Sequence, residues 1–249
     1  MLLLRHVLKI GSQSECSQRE VGILIDDLLK CQLLHELFMI TELSLCSLYS
    51  LQVNSFHPLK IRNIHLQYLQ LDKDQNGLLS ESELICGYGK CKAFQPDHLY
   101  DLTPVFVHQL FEESRTFPPN NEIDYKTYID FTLYMMDDSS ISSLRFLWTV
   151  LDVQKQGYLS FETVDLFLRD VVEKIFCENR TKHDEGHKGH NDRLRFIQHL
   201  RMQVFDAVNP LRQDRITWQD LRRSKLGPLV ARLLVDYRAY RSFTERLSF

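Results

Sequence analysis

The chain has 249 residues, of which 44% are hydrophobic and 25% charged, and it carries a formal net charge of -3. That length is enough for one domain or two small ones with a substantial core, and the composition is that of an ordinary globular protein. A charge so near neutrality excludes a general electrostatic pull toward nucleic acid or acidic membrane surfaces. Cysteines stand at 16, 31, 46, 86, 91 and 177 without a CxxC pair, which points to reduced thiols in an intracellular compartment better than to a disulfide framework. Cys86 and Cys91 alone have a zinc-like spacing, and no second pair accompanies them.

Residues 1–58 read as an N-terminal helical segment. The apolar run at Leu2, Leu3 and Leu4 is cut short by Arg5 and His6, so it lacks the longer apolar stretch of a secretory signal. Leu37 to Val53 is short of the roughly 20 apolar residues of a spanning helix and reads as a buried helix or helix pair. No membrane insertion is expected. Ile61, Ile64, Tyr68 and Leu71 then step at helical intervals into a polar loop, Asp72 to Glu83. Gly87 and Gly89 end the next helix early, and Pro104 suits the first turn of the one after.

The same pattern returns. Leu71, Asp72, Gly77, Leu79 and Ser80 are matched at equal offsets by Leu151, Asp152, Gly157, Leu159 and Ser160. Leu144, Leu147 and Trp148 form the helical approach to the second copy. Glu122 to Thr127 and Arg215 to Asp220 look like the back halves of two further loops. In a 12-residue EF-hand register the eighth positions are Leu79, Ile123, Leu159 and Ile216, all aliphatic, as they are where paired loops meet in a short two-stranded bridge. The predicted fold is therefore all-α: four EF-like helix-loop-helix units in two lobes, 59–137 and 138–249, with a hinge near Asp137 to Ser143. The loops starting at Asp72 and Thr116 should pair, as should those starting at Asp152 and Asn209. Asn179 to Asn191 is strongly polar and reads as a solvated insertion between the helix of Val171, Val172 and Phe176 and that of Phe196, Leu200 and Val204.

The Asp72 loop has the chemistry of a calcium site. An EF loop offers oxygen from positions 1, 3, 5, 7, 9 and 12, with glycine at 6 for the turn. Here these are Asp72, Asp74, Asn76, Leu78 through its carbonyl, Ser80 through water, and Glu83, with Gly77 at the turn. Three carboxylates among oxygen donors favour calcium or magnesium over zinc, and a bidentate Glu83 favours calcium, because magnesium is small and wants octahedral geometry. The other loops fail on the same rule. The second copy offers neutral Gln154 and Gln156 and ends in Thr163; the Thr116 loop has Pro118 at position 3; the Asn209 loop has Pro210, Leu211 and Asp214 at the turn. One calcium is expected, in one site.

The stretch Tyr68 to Leu84 resembles the B'' (B-double-prime) regulatory subunits of protein phosphatase 2A, most nearly the gamma type that includes the plant tonneau/fass proteins. The likeness continues through Glu122 to Phe131, Leu151 to Leu159, Ile216 to Leu221 and Leu234 to Asp236. It implies a non-catalytic subunit that docks on the phosphatase scaffold and catalytic subunits and directs dephosphorylation under calcium influence. It maps the family's calcium ligands onto Asp72, Asp74, Asn76, Leu78 and Glu83. Gamma-type relatives imply a cytoplasmic protein of centrosomes or cortical microtubule arrays, with the nucleus also open.

Other features have plainer readings. His183, His187 and His190 fall at helical spacing, but Gly186 and Gly189 work against a helix that would align them on a metal. Trp148 and Trp218 sit at repeat-equivalent core edges, and Tyr125, Tyr128, Phe131 and Tyr134 make a helical core stripe. Arg222, Arg223 and Lys225 read as a solvated helix end. No catalytic constellation is present, so an enzyme is not expected. A cytoskeletal or centrosomal organiser with a structural calcium, or a plain calcium buffer, stays open beside the phosphatase reading.

Overall fold

A computed structural model describes residues 57–88, 100–136, 140–180 and 190–240. Residues 1–56 of the expected N-terminal segment, the expected helix stop Gly89, the zinc-like partner Cys91, and His183 and His187 lie outside these residues.

The first helix-loop-helix consists of α1 (Pro58–Leu71), β1 (Leu78–Leu79) and α2 (Glu81–Gly87). The second is α3 (Pro104–Glu113), β2 (Thr116–Phe117), β3 (Glu122–Asp124) and α4 (Tyr125–Met136). The third is α5 (Ile141–Leu151), β4 (Tyr158–Ser160) and α6 (Phe161–Arg180). The fourth is α7 (His190–Val208), β5 (Arg215–Thr217) and α8 (Trp218–Arg223), after which α9 (Gly227–Val235) closes the fold.

The loops pair as their eighth positions require. β1 runs antiparallel to β3 with Leu79 opposite Ile123, and β4 runs antiparallel to β5 with Leu159 opposite Ile216. All four side chains are at most 1% exposed. The first bridge is larger than expected, because β2 folds back on β3 and makes a three-stranded sheet in the order β1-β3-β2. The turn at 118–121, with Asn121 at a positive φ of 55°, reverses the chain tightly enough for this.

Each helix start has a local cause. Pro58 and Pro104 occupy first-turn positions, where no N–H is needed. Ser80, Asp124, Ser160 and Thr217, all at position 9 of their loops, accept the N–H of Glu83, Thr127, Thr163 and Asp220 respectively. The hinge expected at 137–143 is shorter: Ser140 caps α5 and Ile141 already belongs to the helix. Ser143 is buried and its hydroxyl donates to the carbonyl of Tyr134, tying α5 to the end of α4. The polar insertion is also narrower, since α6 extends to Arg180 and α7 begins at His190. Ile61, placed by periodicity on the buried face, is 45% exposed, whereas Ile64, Tyr68 and Leu71 are buried.

One continuous apolar core runs from Ile64 in α1 to Val235 in α9. Polar ties fasten the two loop pairs to each other. Asp170 in α6 accepts the Val105 N–H at 2.8 Å and so caps α3 from outside its own unit. Asp236, 4% exposed, accepts the N–H groups of Asp101 (2.7 Å) and Arg238 (3.0 Å). Burial pushes the Asp236 carboxyl above its ordinary range despite those bonds. Lys174 binds Asp101 and the Leu102 carbonyl, and Lys155 reaches Glu113 at 3.0 Å.

Gly227 opens α9 where a Cβ would run into the Leu221 carbonyl oxygen and carbon. Alanine is normally the better helix former there by a fraction of a kcal/mol, so a loss isolates the close approach. Gly227→Ala is expected to lower unfolding free energy by about 1–3 kcal/mol, read as a shift in the urea midpoint at constant slope.

Candidate metal centre

The Asp72 loop is organised by its own first residue. Asp72 is buried and accepts two main-chain N–H groups, from Asn76 through Oδ1 at 3.1 Å and from Gly77 through Oδ2 at 3.0 Å. This double acceptance curls the loop, and the curl needs left-handed backbone at Gln75 (φ 59°) and Gly77 (φ 78°). Glycine meets that demand at position 6 without a Cβ penalty. Asp74 Oδ1 also accepts the Asn76 N–H at 3.2 Å, and Asn76 Oδ1 accepts the Leu78 N–H at 2.7 Å.

Glu83 closes the loop from the first turn of α2. Its Oε1 accepts the Lys73 N–H at 2.9 Å, and its Oε2 accepts the N–H (2.9 Å) and hydroxyl (2.8 Å) of Ser80. Ser80 and Glu83 form a reciprocal capping box at the start of α2. Burial works to raise the Glu83 pKa, and the hydrogen bonds from Ser80, Lys73 and Asp74 outweigh it, so the carboxyl lies below its ordinary range. It is therefore ionised wherever a calcium ion would meet it.

Asp72, Asp74 and Glu83 each bring a carboxylate oxygen within 4.8 Å of the others. Among the described residues, no other three His, Cys, Asp or Glu side chains converge in this way. Leu78, whose carbonyl was expected to be a ligand, opens β1 opposite Asp124. The assembled donors are all oxygen, which fits a hard divalent cation and not a thiolate- or imidazole-bound one.

Two neighbours were not legible as parts of this loop. Tyr68, from α1, donates its hydroxyl to the Gly77 carbonyl at 2.6 Å, pinning the turn to the incoming helix. Burial first, then the charges of Asp72, Asp124 and Glu83, push the Tyr68 pKa up to about 12, so it remains a donor. Glu122, from the paired loop, is 5% exposed, and its Oε2 accepts from Asn76 Nδ2 at 3.1 Å. The helical periodicity held Tyr68 only as a core residue, and the loop register put Glu122 at position 7 of the paired loop without marking it as a neighbour of Asn76.

The Asp152 loop keeps the frame, with neutral Gln154 and Gln156 at positions 3 and 5. Asp152 accepts the N–H groups of Gln156 (3.0 Å) and Gly157 (2.8 Å), and Lys155 and Gly157 take φ of 53° and 77°, matching Gln75 and Gly77. Position 12 is Thr163, a small hydroxyl beside Ser160. In the Asn209 loop, buried Asp220 plays the part of Glu83 with a shorter arm. Its Oδ1 accepts the Leu211 N–H (3.2 Å), and its Oδ2 accepts the N–H (3.0 Å) and hydroxyl (2.6 Å) of Thr217. Trp148 and Trp218 pack together at 6.1 Å between ring centroids, half-buried beside this second pair.

Among the described residues no helix is long and apolar enough to cross a membrane. No protein-family model matches the chain. The chain is 31% identical over 224 residues to the B'' gamma regulatory subunit of serine/threonine-protein phosphatase 2A from Xenopus tropicalis, covering 90% of this chain and 44% of that protein. The Homo sapiens B'' gamma protein is 30% identical over the same shares, and TON2, a B''-type protein of Arabidopsis thaliana, is 28% identical over 75% of this chain and 35% of its own length. A solved chain of the PP2A PR70 holoenzyme, designated diCa, superimposes with a TM-score of 0.67 at 16% identity, over 97% of this chain and 78% of that one. The chain thus spans about half the length of the B'' gamma proteins it matches. Over that span it is a homologue of the B'' regulatory subunits of serine/threonine-protein phosphatase 2A.

Proposed function

We propose that the chain is a calcium-binding, non-catalytic regulatory or targeting unit of a protein phosphatase 2A-type enzyme, acting with its scaffold and catalytic subunits. The homology to B'' gamma proteins across nearly all of this chain is the observation that carries it. In this reading one calcium ion is held by Asp72, Asp74, Asn76, the Leu78 carbonyl, Ser80 through water, and Glu83. The convergence of three carboxylates in an oxygen-only loop supports that assignment, and the diCa designation of the PR70 structure agrees with calcium as the metal.

The ion's chemistry here is mechanical. Glu83 sits in the first turn of α2, so a cation that draws its carboxylate also fixes the angle of that helix. α2 packs against both α1 and α3, and Leu84, next to Glu83, is fully buried. A change in α2 is therefore felt by two neighbouring helices and biases the surface they present to a partner. Lobe 1 (59–137) is the responsive unit in this scheme, and lobe 2 (138–249) is held closed by Asp220 without an ion. The cytoplasm, at centrosomes or cortical microtubules, is the setting that the gamma-type likeness suggests.

Calorimetric titration of the full chain with calcium chloride is expected to give one ion per chain, and Glu83→Gln to abolish the heat. An isotherm unchanged by that substitution removes the assignment. Because the Asp152 loop already holds the right backbone, Gln154→Asp, Gln156→Asn and Thr163→Glu together are expected to raise the stoichiometry to two. Affinity capture from cells on the full chain, in calcium and then in chelator, is expected to recover phosphatase scaffold and catalytic subunits, with calcium changing their yield. Recovery of centrosomal or microtubule proteins without phosphatase would favour the organiser reading instead.

A further inference from the structure

The donors of the calcium loop come from one segment, yet a buried carboxylate of the partner loop is part of its geometry. Glu122 stands on β3, and the register that sets Ile123 against Leu79 brings it alongside the Asp72 loop. It is 5% exposed, and among the described residues no Lys, Arg or His forms an ion pair with it. A buried carboxylate without a cation is costly unless hydrogen bonds or a nearby positive charge compensate it. Its polar contact is the side-chain amide of Asn76, Nδ2 to Oε2 at 3.1 Å.

That amide is held at both ends. Nδ2 has two protons; one goes to Asp74 Oδ2 at 2.9 Å and the other to Glu122. Oδ1 points the other way and accepts from the Leu78 N–H at 2.7 Å. An asparagine can serve a cation only through its oxygen, since Nδ2 has no free lone pair. Two carboxylates that claim both N–H bonds leave the oxygen as the end the loop can offer. An aspartate at this position would instead set a carboxylate oxygen against Glu122 with no proton between them.

We infer that Glu122 is a positioning residue for the calcium site, acting across the loop pair through Asn76 and fixing which end of that amide faces the ion. This rests on the calcium reading of the Asp72 loop and adds to it a residue from the loop that has lost its own ligands. It gives the disabled second loop a task beyond pairing.

The test is a double-mutant cycle in the full chain, titrated with calcium chloride by calorimetry. Glu122→Ala is expected to weaken binding by about tenfold, in the range seen for groups that orient metal ligands. Glu122→Gln, which keeps an oxygen acceptor, is expected to recover most of that loss. In a chain that already carries Asn76→Asp there is no amide to hold and two carboxylates face each other, so Glu122→Ala is expected to leave binding unchanged or strengthen it. Melting in chelator supplies the readout for a merely structural role: without calcium Glu122→Ala should lose only what one hydrogen bond supplies, less than it loses in calcium. Equal losses from Glu122→Ala with and without Asn76→Asp overturn the inference, as does a matching drop in stability in chelator. An unmutated chain that gives no calcium heat overturns the calcium reading itself, which is a different result from normal binding that ignores Glu122.

Discussion

Everything in this fold hangs on two short antiparallel contacts between loops. Leu79 against Ile123, and Leu159 against Ile216, are the points at which four helix-loop-helix units become two pairs. Each contact is only two or three residues long, too little to hold a free hairpin together in water. They persist because the bridging side chains are at most 1% exposed and sit inside one apolar core with the helices on either side. Sequence, register and core are thus one constraint. Moving the pairing by one residue would take Ile123 off the core face and put a carboxylate in its place.

Two separate codes are written into the same twelve residues. The first sets the backbone: an aspartate at position 1 that accepts the N–H groups of positions 5 and 6, glycine at 6, and a small polar residue at 9 that caps the outgoing helix. The Asp72 and Asp152 loops share it almost atom for atom. The second, which the proposed calcium reading assigns to the cation, lives at positions 3, 5 and 12, where Asp74, Asn76 and Glu83 give way to Gln154, Gln156 and Thr163. Loss of the second leaves the first intact, since the two hydrogen bonds that curl the loop come from the side chain at position 1. The Asn209 loop reaches the same end differently. Asp220 ties the loop to Thr217 and Leu211 with the same kinds of hydrogen bond that Glu83 makes to Ser80 and Lys73, on a shorter arm.

This separation also explains what could be read from the sequence. The frame is local and periodic, so the aliphatic eighth positions foretold both pairings, and position 12 distinguished the Glu83 loop from its copies. The helix start at Pro104 was legible too, whereas the caps at position 9 came only with the structure. What stayed hidden depends on residues distant along the chain. Asp170 capping α3, Asp236 held by Asp101, and Glu122 beside Asn76 join positions 46 to 135 residues apart. No spacing rule points to them, because each is set by how whole units stack. Ile61 failed in the opposite sense: it has the right period but lies on the edge of a stripe that only Ile64, Tyr68 and Leu71 occupy. The hinge was drawn too long because Ser140 and Ser143 look like linker residues, although one caps a helix and the other binds back to α4.

The shape of α2 decides how far a bound ion could be felt. The helix has only seven residues, Glu81 to Gly87, so nothing in it lies more than two turns from Glu83. At its far end Gly87 lies so close to Leu71 that a Cβ would strike the Leu71 side chain. Leu71 is the last residue of α1 and precedes Asp72, the residue that curls the loop. The loop and the two helix ends around it therefore form a small closed circuit: Asp72 to the turn, the turn to Glu83, Glu83 through α2 to Gly87, and Gly87 back onto Leu71. A displacement of the Glu83 carboxylate cannot be absorbed by bending a long helix, and the contact at Leu71 blocks a slide toward α1. The short outgoing helix thus keeps this loop close to the end of α1, whereas the third unit leads into α6, a helix of 20 residues. The Asp72 loop, where three carboxylates converge, leads into a helix of seven residues, and the Asn209 loop into one of six.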